Sequence, residues 1–127
     1  MDENFRLELE KDHPEYQLPK TSFFSNLEDA SHKADSYTRL LNKESAKIYE
    51  KDENEWLLFA VWVNGQEYSL QSERIRKLLS KNLTMIQARR YQMFITGVSM
   101  DRIAKIEETT KSAAQSSINQ AREKLSN

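Results

Sequence analysis

A chain of 127 residues, 38% hydrophobic and 31% charged, has apolar material for one modest core and carries a net charge of −1. The absence of cysteine excludes disulfides, zinc–thiolate centres and thiol catalysis. No apolar run approaches the ~20 residues of a membrane span. The opening MDENFRLELE lacks the basic and apolar stretches of a secretory signal, so a cytoplasmic protein without membrane contact is expected.

The charge is unevenly placed. Residues 1–53 hold 13 acids and 8 bases, residues 54–82 hold 3 and 4, and residues 83–127 hold 4 and 7. A basic C-terminal segment behind an acidic front half is the pattern of a duplex-binding module joined to a part that does not touch DNA. Only two glycines and two prolines occur, which favours helix over an all-β fold.

In chain order, residues 1–24 read as an irregular arm, because Pro14 and Pro19 interrupt any helix, although residues 5–9 alternate as a short strand does. Residues 25–80 follow as helix, hairpin and short helix. Ser25 and Glu28 form a capping box for a helix from about Asn26 to Glu50. Along it Leu27, Ala30, Ala34, Tyr37, Leu41 and Ile48 make a heptad-like seam. That seam either joins two copies, as a homodimer through residues 27–48, or packs on the chain's own C-terminal domain.

Residues 56–63 are the most apolar run, followed by Asn64-Gly65 and then 66–70. A type I′ turn needs φ > 0 at both central residues, and Asn-Gly supplies it, so strand–turn–strand is preferred over a buried helix at 54–63. Phe59, Val61 and Val63 then share one face, with Tyr68 and Leu70 opposite. Residues 72–80 read as a helix capped by Ser72, with Ile75, Leu78 and Leu79 inward.

Residues 81–127 contain three short helices. Thr84 with Gln87 is a capping box, and Ile86, Tyr91, Met93, Phe94 and Ile95 supply an apolar face. Gly97 stops that helix, and Ser99 caps the next, whose inward side chains are Ile103, Ala104 and Ile106. Glu107-Glu108-Thr109 is a turn. Thr110 caps a last helix to about Leu125, with Ala114, Ile118, Ala121 and Leu125 as its inner stripe.

Leu83, Thr84, Gln87, Gly97, Ser99, Ile103, Ala104, Ile106 and Ile118, with Ala121-Arg122-x-Lys124-Leu125 at the end, stand at a spacing that resembles the C-terminal, promoter-reading domain of bacterial sigma factors. LuxR-type output domains share much of this skeleton. The resemblance covers about a third of the chain. Arg90, Glu107 and Thr109 stand where the family usually has apolar side chains, Ala114 where it has Val or Ile, and Glu108 where a glycine often makes the turn. The resemblance implies a helix-turn-helix whose last helix reads bases through Lys111, Ser112, Gln115 and Ser116.

The geometry of such a module adds Asn119 to that outward face, where Gln115 or Asn119 can pair with adenine and Lys111 with guanine or phosphate. Arg89, Arg90, Arg102, Arg122 and Lys124 are candidate phosphate contacts. Catalysis, a cofactor and a metal are not expected. His13 and His32 read as solvated surface residues, no H-E-x-x-H spacing or glycine-rich phosphate loop exists, and Trp56 and Trp62 read as packing residues.

The expected protein is therefore mainly α, with a three-helix helix-turn-helix at the C-terminus, an N-terminal helix and a small β-hairpin. Its expected function is sequence-specific binding of double-stranded DNA in transcriptional control, sigma-like in its DNA-reading half only and suited to a phage or mobile element. The alternative is a protein-interaction module whose acidic N-terminal half binds RNA polymerase or another protein.

Overall fold

The computed structural model describes residues 2–42 and 44–126; Met1, Lys43 and Asn127, which fall in the predicted arm, first helix and C-terminal domain, lie outside the described residues. The chain forms two compact units, Met1–Glu67 and Tyr68–Asn127. Among the described residues there are five strands and five α-helices.

In the first unit, β1 (Phe5–Leu9), β2 (Thr21–Phe24), β3 (Ser45–Asp52) and β4 (Glu55–Val63) pair antiparallel, and β5 (Gln66–Ser69), which starts in this unit and runs past its end at Glu67, completes a sheet of order β2-β1-β3-β4-β5. Helix α1 (Leu27–Leu40) packs on one face. The alternation of β1 makes this possible: Leu7 and Leu9 point to the helix side, and Leu7 aligns with Ile48 and through it with Ala60. These side chains join Ala30, Ala34, Leu41, Ala46 and Trp62 in one core. Leu7 and Ile48 are fully buried, and each such burial contributes about 1.5–3 kcal/mol.

This architecture corrects the mainly helical expectation. Residues 1–24 are not an arm: they supply β1, a 3-10 turn at Pro14–Tyr16, and β2. The long helix to Glu50 stops at Leu40, and its last third becomes β3. The Leu27–Ile48 seam spans a helix and a strand, and its members pack into the unit's own core, so it is not an open face for a second copy. Asn26, rather than Ser25, caps α1, its side chain accepting from Asp29 N–H at 2.8 Å. The periodicity misled because an apolar residue every three or four positions continues by chance from α1 into the strand that covers it.

The strand reading of 54–63 holds, and Asn64 and Gly65 have φ of 52° and 74°, as a type I′ turn requires. The face assignment does not hold. Ile48 pairs with Ala60 but Tyr49 with Leu58, so Phe59 is an extra residue, a β-bulge. It sends Phe59 to the helix side, away from Val61 and Val63. The turn is tied to α1: Gly65 N–H donates to buried Thr38 Oγ1 at 2.9 Å, and that hydroxyl donates to Ala34 O at 2.8 Å.

His13 is also corrected. It is only 5% exposed, with Nε2 2.7 Å from Glu44 Oε2 and Nδ1 3.2 Å from Glu15 Oε1. The hydrogen bond to Glu44 holds the imidazole above its ordinary pKa, against burial and with help from Glu15. Around it Glu44 Oε1 accepts from Glu10 N–H, and Glu10 Oε2 accepts from Ser45 N–H and Oγ. These reciprocal bonds fasten the β1–β2 connection to the start of β3. His32 is exposed, as expected.

The second unit contains α2 (Glu73–Leu79), α3 (Met85–Ile95), α4 (Met100–Ile106) and α5 (Lys111–Leu125). Thr84 and Gln87 close the predicted capping box on α3. Ser72 precedes α2 but makes no side-chain cap bond. Gly97, at φ 97°, ends α3 with Val98 N–H bonded to Met93 O and Gly97 N–H to Phe94 O, the paired bonds of a Schellman ending. The buried face of α3 is Ala88, Gln92 and Met93, whereas Ile86 and Ile95 of the predicted apolar face are 48% and 52% exposed. Ile75 and Leu78 of α2, and Ile103, Ala104 and Ile106 of α4, are buried as their spacing predicts. No helix among the described residues is long and apolar enough to cross a membrane.

Candidate nucleic-acid interface

Helices α4 and α5 are joined by Glu107–Thr110. Glu107 is the last helical-type residue of α4, and Glu108 takes φ 54°. Thr109 N–H bonds Ala104 O and Glu108 N–H bonds Lys105 O, so Glu108 makes the left-handed turn that a glycine makes more easily. Thr110 then caps α5, its hydroxyl accepting from Ala113 N–H at 3.0 Å.

Ala114, Ile118 and Ala121 are fully buried, and α5 packs against both α3 and α4. The small size of Ala114 and Ala121 lets the helices approach closely. With that stripe inward, Lys111, Ser112, Gln115, Ser116 and Asn119 come together on the outer side of the first three turns of α5. Ser112, Ser116 and Asn119 are exposed, and Gln115 is partly so. Gln115 Nε2 donates to Asn119 Oδ1 at 3.1 Å, and Lys111 Nζ lies 3.3 Å from Asp101 Oδ1. Both contacts are solvent-exposed, and exposed ion pairs are worth little, so a ligand can displace them.

The candidate phosphate contacts are differently placed. Arg89 donates through Nε and Nη2 to Glu107 at 2.6 and 2.8 Å, and Arg90 through Nε to the same carboxylate at 2.9 Å and through Nη1 to Ser117 Oγ at 2.8 Å. Burial pushes the Glu107 carboxyl up, but the hydrogen bonds and charge of the two guanidiniums outweigh it and hold the pKa below its ordinary value. These three residues form a buried ionic knot between α3, the turn and α5. The charges of Arg90 and Glu107 thus compensate each other.

Lys124 Nζ donates to Asn82 O and Gln87 Oε1 at 3.0 and 2.9 Å, pinning the end of α5 to the start of α3. Arg122 is exposed, with its guanidinium 4.8 Å above the Phe94 ring. Arg102 is partly buried on α4. The structure therefore gathers the five predicted base-reading residues on one face, and commits Arg89, Arg90 and Lys124 to holding the helices together. Sequence spacing missed that commitment because Glu107 lies 18 residues from Arg89, beyond any local rule.

No protein-family model, curated protein or solved structure matches this chain.

Proposed function

We propose that the second unit is a helix-turn-helix module that reads double-stranded DNA in transcriptional control, with α5 as the helix that enters the major groove. The observation that carries this reading is the polar face of Lys111, Ser112, Gln115, Ser116 and Asn119 at the start of α5, rigidly seated through Ala114, Ile118 and Ala121. A recognition helix presents its first turns to base edges, and this one offers amide, hydroxyl and ammonium groups there. Gln115 or Asn119 suits the N6/N7 edge of adenine, and Lys111 suits guanine or a phosphate.

The left-handed Glu108 supports the same reading, since it allows the tight turn between α4 and α5 without glycine. Phosphate contacts fall to exposed Arg122 and the first N–H groups of α5, because Arg89, Arg90 and Lys124 serve the module's interior. The sigma-like resemblance applies to this module alone.

The test is titration of the full chain onto a labelled duplex from upstream of its own gene, against a random duplex, over a range of salt. Tighter binding to the native duplex with log affinity falling linearly in log salt supports the reading. Lys111→Ala with Gln115→Ala should then weaken binding about tenfold or more at unchanged stability. Absence of binding to either duplex at low salt would sink it.

A further inference from the structure

Within the polar face of α5 two side chains are joined, and the join gives them different work. Lys111, Gln115 and Asn119 recur every fourth residue, so they lie in one row along the helix. Gln115 Nε2 donates to Asn119 Oδ1 at 3.1 Å. One turn before Gln115, Lys111 Nζ is turned toward Asp101 Oδ1 on α4, 3.3 Å away. Asn119 is exposed, whereas Gln115 is half-buried.

We propose that Gln115 reads an adenine and that Asn119 is its positioning residue, not a second reader. The assignment rests on the duplex reading of α5 and deepens it. Adenine presents the N7 acceptor and the N6 donor in the major groove, and an amide meets both only when its plane is correctly turned. Glutamine carries its amide on three torsions, and fixing so long a side chain is entropically costly. A partner one turn on that already holds the amide removes part of that cost before DNA arrives. The hydrogen-bond inventory permits it. The Gln115 amide nitrogen carries two hydrogens. The adenine pair uses the one on the side of the oxygen and leaves the other for Asn119, so DNA need not displace the bond.

The direction of the bond assigns the roles. Asn119 is the acceptor. With its oxygen engaged it offers chiefly the hydrogens of its NH2 group, whereas N6 of adenine requires an acceptor. Position agrees. A recognition helix meets base edges with its first turns. Gln115 is the fifth residue of α5 and Asn119 the ninth, which sets Asn119 about 6 Å farther from the start of the helix.

The test is selection by the full chain from a pool of duplexes randomised over about twenty base pairs, two helical turns. Sequencing gives the base preference at every position for the natural chain, Gln115→Ala, Asn119→Ala, the double variant and Asn119→Asp. The natural chain should enrich a motif with an A·T pair whose preference falls about tenfold in Gln115→Ala. Asn119→Ala should weaken preference at that same pair about threefold, since a bond of this kind on a helix surface is weak. The double variant should lose no more than Gln115→Ala alone, because both act through one amide. Asn119→Asp keeps an acceptor in place, so it should lower affinity for every duplex by its charge and still select adenine there. Lowered affinity in Asn119→Ala with every base preference unmoved overturns the proposal, because Asn119 is then merely structural. Loss of preference at a different base pair overturns it too, because Asn119 is then a reader in its own right. A motif that Gln115→Ala leaves unchanged does the same. Enrichment of no motif by the natural chain overturns the duplex reading itself, and the assignment with it.

Discussion

Replacing Glu107 by glutamine keeps the shape of its side chain and removes the charge that two guanidiniums share. The side chain of Glu107 is 2% exposed and those of Arg89 and Arg90 are 13% each, so the knot is largely out of water. Breaking a buried ion pair from one side costs about 3–5 kcal/mol because the remaining charge stays desolvated. The partial exposure of both arginines lets water and salt recover some of that, which places the loss near ~3 kcal/mol. A unit of this size has a total stability of about 3–9 kcal/mol, so Glu107→Gln should remove at least about a third of it.

Urea unfolding followed by far-UV circular dichroism reads the helices, while fluorescence of Trp56 and Trp62 reads the first unit. The loss should appear in the first signal at neutral pH. It should shrink in acid, because a carboxyl with a lowered pKa contributes stability that is full above the ordinary 4.5 and disappears as pH falls through its folded value. Replacing Arg89, Arg90 and Glu107 together by methionine should restore most of the stability, since removing a whole buried ionic group is far less costly than halving it. A Glu107→Gln chain within ~1 kcal/mol of the natural one at neutral pH would refute the buried-knot argument.

Three further outcomes follow from the geometry. The raised His13 pKa means that its bonds to Glu44 and Glu15 stabilise the first unit fully below pH 6.5, its ordinary value, and are lost as pH rises through the folded value. Glu15, lowered by its own backbone hydrogen bond and by His13, contributes fully above 4.5 and is lost as pH falls through its folded value, with Lys11 nearby adding to its ionisation. The tryptophan-monitored midpoint should therefore decline above about pH 6.5 in the natural chain and stay flat there in His13→Gln; parallel profiles would contradict the assignment. Gly65→Ala should cost about 1 kcal/mol in the same assay, because φ is 74° and the new methyl meets the Arg39 guanidinium at 2.6 Å. Pairing it with Arg39→Ala should relieve the clash but not the backbone strain. Glu108→Gly should raise the urea midpoint of the helical signal by about 0.5–1 kcal/mol equivalent, since glycine takes the left-handed turn without penalty.

Much of the second unit was legible in the sequence because its signals are local. Thr84 with Gln87, Ser99 and Thr110 each announce a helix that starts at the next residue, and all three act as caps by accepting from the N–H three residues ahead. Ala114, Ile118 and Ala121 follow one helical stripe, which fixes the opposite face of α5 without further information. The first unit was largely illegible because its order is long-range. β1 lies between β2 and β3 although the chain visits β2 next, and no local pattern states that pairing. The bulge at Phe59 breaks a period-two pattern that otherwise assigns faces correctly. Lys124 and Arg89 looked like surface cations because their partners, Gln87 and Glu107, lie 37 and 18 residues away.

The non-sequential strand order has a consequence for synthesis on the ribosome. β1 and β2 emerge first and can close on each other, but one flank of β1 stays open until β3 is made some twenty residues after β2. During that interval the Leu7 side of the nascent hairpin has only α1 to shield it, and the unpaired edge of β1 is a template for any passing strand. Slowing translation between residues 25 and 45 would lengthen this exposed period without altering one atom of the finished sheet. A silent codon change there could reduce the yield of protein whose native stability is untouched.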